Sequence, residues 1–106
     1  MTTVYAIHDT DAAHLEEVIA EMRKMGAPTI RVVDCSDFFM ALEGSHRLAA
    51  AAELGLTPTF VVFEQNDMVD LSDLDIDTYN LNLGETYTAG ELAGELIGMH
   101  NPTFSF

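Results

Sequence analysis

TIRVVDCSDFFMALEGSHRLAAAAELGLTPTFVVFE, residues 29–64, carries the decision about the fold. TIRVVD (29–34) is rich in β-branched residues and reads as a strand. CS separates it from DFFMALE (37–43), and the two pieces predict a hairpin. After Gly44 the chain is rich in Ala, Leu and Glu, which are strong helix formers, until Gly55 stops the run. PTFVVFE (58–64) is a continuous apolar stretch, the pattern of a strand covered on both faces.

Working outward, TVYAI (3–7) reads as a short strand. HDTD follows, with Thr10 or Asp11 as the N-cap of a helix. Leu15, Val18, Ile19, Met22 and Met25 recur at helical spacing, with Glu16, Glu17, Glu21, Arg23 and Lys24 opposite them. Arg23 and Lys24 lie in the last turn, where the helix dipole favours cations, and Gly26 and Pro28 end the helix. Beyond the central stretch, QNDMVDLSDLDID (65–77) is acidic and mixes short-helix and loop signals. YNLNL (79–83) alternates as a short strand would. Thr88 and Glu91 form a capping box for a last helix, and Tyr87 and Leu92 have hydrophobic-staple spacing. Leu92, Ala93, Leu96 and Ile97 make its apolar stripe, and Gly98 ends it. The tail HNPTFSF is expected to be loosely held unless its phenylalanines dock. Met22, Met25, Phe38, Phe39 and Met40 read as core. The expected fold class is α/β (α+β), a single domain over 1–106 with a core at 9–64 and a C-terminal helical extension at 65–106. It holds a small mixed sheet with a hairpin and about three main helices.

Composition narrows the function. The chain has 106 residues, 48% of them hydrophobic, which suits one folded domain. Eighteen acidic residues against four Lys and Arg give a formal net charge of −14. Such a surface repels phosphate backbones, so no direct nucleic-acid partner is expected, and no anionic membrane. A small anion can still bind in a local basic pocket, because salt screens charge beyond roughly 10 Å. One cysteine, Cys35, allows no intrachain disulfide. With no signal-peptide pattern and no membrane-spanning run, the expected location is cytoplasmic.

EGSHR (43–47) is the motif that carries chemistry. It places His46 and Arg47 at a helix start, where the helix dipole disfavours cations. An anion bound there reverses the sign of that placement. Gly44 permits a sharp turn, Ser45 brings a hydroxyl, the first-turn amides lack intrahelical partners, and Arg47 suits bidentate grip on phosphate oxygens. The ordinary alternative is that Arg47 pairs with Glu43 or Asp37 and His46 merely caps or packs.

Hairpin, EGSHRLAAAAELGL and PTFVVFE together resemble the core of the ParB/sulfiredoxin superfamily. DTDAAHLEEVIAEMRKMGAPTIRVV is similar to the helix and proline-led strand that precede the hairpin there, so the resemblance spans about residues 9–64. It implies a nucleotide phosphate site, with Gly44, Ser45, His46 and Arg47 as the binding residues. The cofactors it implies are ATP, ADP or CTP with Mg²⁺. Phosphoryl transfer is one reaction it implies, with His46 on the phosphate; read from the residues themselves, Asp9 and Asp11 are acid/base or Mg²⁺-ligand candidates or else helix caps, and Glu43 is a catalytic candidate, an orienting group for Arg47 or a structural ion pair. Ser45 stands where sulfiredoxins carry their catalytic cysteine, and a serine cannot supply that thiolate, so sulfiredoxin activity is not expected. The helix-turn-helix and dimerisation regions that follow this core in partition proteins are not expected either. Two other readings stay open: a non-catalytic acidic module that engages a basic protein partner, and a ParB-like nuclease. Asp73, Asp75 and Asp77 resemble a calcium-loop opening, but Thr78 and Gly84 stand where Gly and Glu are needed. His8 and His14 could join a metal site, but their spacing matches no specific zinc pattern, and His14 reads as surface.

Overall fold

A computed structural model of the chain describes residues 2–70, 86–98 and 101–106, and the side chains of Asp70, Thr86 and Tyr87 lie outside that description. The expected α/β class holds. Its main sheet has five strands: β1 (Thr3–Tyr5), β2 (Thr29–Asp34), β3 (Phe39–Ala41), β4 (Thr59–Phe63) and β7 (Thr103–Ser105), in the order β4-β2-β3-β1-β7. The sheet is mixed. β2 runs parallel to β4 and antiparallel to β3, and β1 runs parallel to β3 and antiparallel to β7. A second, two-stranded sheet pairs β5 (Met68–Asp70) with β6 (Thr86–Thr88). The helices are α1 (Ala12–Met25), α2 (Ser45–Leu54) and α3 (Ala89–Leu96).

The alternation of side chains along β2 builds three layers. Val32 pairs with Ala41 and joins Leu48 of α2 on one face. Val33 pairs with Met40 and joins Leu92, Ala93 and Leu96 of α3 on the other. Successive strand residues point to opposite faces, so two adjacent valines serve two different helical layers. On the α2 side, Ala50 and Ala51 admit α1 closely, and Met22, Leu15, Val18 and Ile19 pack there.

The hairpin forms, with β3 shorter than DFFMALE suggested. Its turn is closed by Cys35 N–H donating to Phe38 O at 3.0 Å, and Asp34 Oδ1 accepts from Ser36 N–H at 2.9 Å. Ser36 sits at φ +73°, a left-handed position held by this aspartate turn. Phe38 stacks on Tyr5 with ring centroids 4.2 Å apart, and Met40 is fully buried. Asp11 is the N-cap of α1, its Oδ1 accepting from Ala13 N–H. Thr88 caps α3, with Glu91 N–H donating to its Oγ1 at 3.2 Å.

Several expectations are corrected. β4 is not covered on both faces: it is an edge strand, with Val61 and Val62 each about two-fifths exposed. An apolar run records avoidance of charge, and strand order alone decides who sits at the edge. Met25 is not core; it is 83% exposed in the last turn of α1, where the chain leaves for β2. Ile97 lies beyond the end of α3 and is 39% exposed. The acidic stretch after residue 64 opens with a turn at Gln65 and Asn66 and then enters a strand, β5. The tail is β7, with Phe104 and Phe106 packed against the Val4–Ile30–Leu48 cluster. YNLNL, the Asp73–Asp77 run and the Tyr87 staple contact lie outside the described residues. Among those residues, no helix is long and apolar enough to cross a membrane.

Candidate functional site

β3 ends at Ala41, and three residues later the chain must turn to start α2 over the sheet. Gly44 makes that turn as the N-cap, in the left-handed region at φ +72°. A Cβ there would lie 2.7 Å from Cδ1 of the fully buried Ile30 and 3.2 Å from the Arg47 guanidinium. Both the backbone angle and the space require glycine. With no side chain, Gly44 offers no cap to the first-turn amides of α2.

Ser45 is 4% exposed, and its role is not the one read from sequence. Its Oγ accepts from Ile7 N–H at 3.2 Å and from His8 N–H at 3.4 Å. The hydroxyl therefore ties the end of β1 to the start of α2. Asn101 holds the same corner from the other side. Its Nδ2 donates to Ala6 O at 2.9 Å and to Leu96 O at 3.1 Å, while its Oδ1 accepts from Gly98 N–H. Sequence reading gave Asn101 no role, since its partners are up to 95 residues away.

Glu43 and Arg47 form the i,i+4 ion pair at 3.2 Å that was the ordinary alternative for this arginine. Glu43, 15% exposed, also pairs with Arg31 Nε at 3.4 Å and accepts from Arg31 N–H. One carboxylate thus serves two guanidiniums. Both of its oxygens contact these cations, Oε1 that of Arg47 and Oε2 that of Arg31. Arg47 Nη1 donates to Thr29 O at 3.2 Å. These two contacts engage two of the five guanidinium donors.

His46 meets two other imidazoles. Its ring centroid is 4.1 Å from that of His14 on α1 and 5.9 Å from that of His8. His46 Nε2 accepts from Asp11 N–H at 3.0 Å, so the neutral ring carries its proton on Nδ1. His8 Nδ1 lies 2.7 Å from Asp9 O, an acceptor only, so His8 donates there. Burial depresses the His46 pKa, His14 and His8 beside it depress it further, and Asp11 offsets part of this.

These groups line one cleft of about 650 Å³ between α1 and the start of α2. His8, His14, Glu21, Glu43, His46 and Arg47 form its polar wall, and Val18, Met22, Met25, Ala27 and Pro28 its apolar wall. His14, Val18, Glu21 and Met25 recur at spacings of four, three and four, so they share one face of α1. That face borders the core stripe, and this spacing is the sequence signal that could have revealed the cleft. Gly44, Ser45, His46 and Arg47 are brought together at the cleft; Asp9 and Asp11 are not among its lining. The Asp11 carboxylate caps α1 instead. Among the described residues, no three His, Cys, Asp or Glu side chains are arranged to hold a metal ion.

Compared with family models, curated proteins and solved structures, the chain matches none.

Proposed function

We propose that the chain binds a nucleotide or related organic phosphate in the cleft at the start of α2. The observation that carries this reading is the pairing of walls. Uncapped amides, His46 and Arg47 face the same space as Met25 and Pro28. The first set suits phosphate oxygens. The second suits a flat apolar group such as a base, and the size is that of an ordinary small-molecule site. Met25 is then exposed because it waits for a ligand rather than for a helix. The hairpin–helix–strand order and the Gly44–Arg47 motif support a ParB/sulfiredoxin-like site. Mg²⁺ would enter with the phosphates of the nucleotide, which Mg²⁺ commonly uses in place of a protein cage. With Glu43 held by two arginines and Asp11 spent as a cap, binding is the function favoured; phosphoryl transfer would depend on Asp9 or His46.

Thermal unfolding with ATP, ADP, CTP, pyrophosphate and phosphate, with and without Mg²⁺, tests this. Nucleotide at saturating concentration should raise Tm, since ligand that binds only the folded chain stabilises it by mass action. Arg47→Ala should abolish the rise for every phosphate. Met25→Ala should weaken nucleotide several-fold and leave pyrophosphate unchanged. A wild-type protein indifferent to all five ligands at millimolar concentration would end the reading.

A further inference from the structure

We propose that His46 is a proton-operated latch that holds the start of α1 against the start of α2 when neutral and releases it when charged. The latch concerns the same cleft as the phosphate reading but does not rest on it, because it acts in the ligand-free protein. Asp11 is the N-cap of α1, so its N–H lies outside the helical ladder. Among the described residues, its hydrogen-bond acceptor is His46 Nε2 at 3.0 Å. That bond has one polarity: the amide can only donate, so the ring nitrogen must offer a lone pair. Protonation puts a second N–H on Nε2, aimed at the first. Two donors cannot share that distance, so the ring turns away or residues 9–14 move.

The surroundings set the direction of the switch. From α1, the His14 ring lies tilted against that of His46, with centroids 4.1 Å apart, and Glu21 shares the cleft. From the β1–α1 loop come His8 and the Asp11 carboxylate. Glu43 and Arg47 flank the ring on its own segment. Any charge on His8 or His14 opposes a charge on His46, while Asp11 favours it. The neighbouring ties do not titrate: the Ser45 hydroxyl holds Ile7 and His8 in either state. Release is therefore local, with a fixed point at His8 and the change centred on Asp11 at the start of α1. Acid would widen the mouth of the cleft and put a positive charge there in one step. A bound anion would favour that same charged state, so binding would take up a proton.

Imidazole nitrogen spectra and amide-exchange protection factors of the ligand-free protein, at about pH 8 and about pH 5, decide the matter. At the higher pH His46 should be the Nδ1–H tautomer with Asp11 N–H protected. At the lower pH Asp11 protection should fall roughly tenfold, as expected for one lost hydrogen bond, while Ile7, His8 and Val32 keep theirs. In His46→Gln, whose side-chain oxygen can accept but does not titrate, Asp11 protection should not change with pH. An Nε2–H tautomer at the higher pH overturns the latch. So does Asp11 protection that stays constant through the His46 titration. Parallel loss at Ile7 and His8 also overturns it, because it marks general loosening.

Discussion

Ser45 is a buried hydroxyl whose two partners are the amides of Ile7 and His8, just past the end of β1. Removing it leaves both N–H groups facing an apolar methyl with no acceptor. Ser45→Ala should cost about 1–3 kcal/mol in urea unfolding, the cost of leaving buried donors unsatisfied. An unchanged midpoint would show that water replaces the hydroxyl. His46 gives a second, opposite-signed effect of environment. Its pKa in the folded chain lies below the ordinary value, so the unfolded chain takes the proton first. Its contribution to stability is full above the ordinary value of about 6.5 and is lost as pH falls towards the depressed folded value. The motif EGSHR was legible in sequence as an unusual helix start. The work of Ser45 was not, because its acceptor role is set by amides 37 and 38 residues away.

At the scale of elements, α1, α2, α3 and β1 to β4 were legible, because each lies in a run that shows its period or its β-branched and aromatic character, or is closed by a glycine, a proline or a cap. β5, β6 and β7 were not. Unlike β1 and β3, they are not embedded in a longer apolar run, and the pairing partner supplies most of the reason such a short strand exists. β7 exists because β1 offers a free edge and because Phe104 and Phe106 bury against Val4, Ile30 and Leu48. Asn101 stands at the entry to this strand and joins the ends of β1 and α3. Asn101→Ala should lower stability by roughly 1–3 kcal/mol and raise amide exchange along β1 and β7 before β2 is affected. Equal effects on all three strands would mean that the tail and the central sheet open as one unit.

The whole molecule carries its charge unevenly. Of the four Lys and Arg residues, Arg23 and Lys24 serve the last turn of α1, and Arg31 and Arg47 converge on Glu43. The other carboxylates repel one another across a net charge of −14. Salt screens such exposed charges, and it screens the half-buried Glu43 pairs less. Raising NaCl from a few millimolar to about 1 M should therefore raise Tm. A fall would mean that attractive surface pairs outweigh the repulsion.

By itself the sequence determined the α/β class, the three helices, the hairpin and the place where scarce positive charge meets a helix start. Those features follow from local spacing, from punctuation by glycine and proline, and from charge count, all of which act over a few residues. Only the tertiary structure decided that β4 lies at an edge, that Ser45 is a tie, that Glu43 is shared between two arginines, and that His8, His14 and His46 meet over one cleft. These depend on which distant groups the folded sheet brings within hydrogen-bonding reach. A residue's neighbours along the chain do not encode that distance, because the packing of α1 and α2 on the sheet creates it.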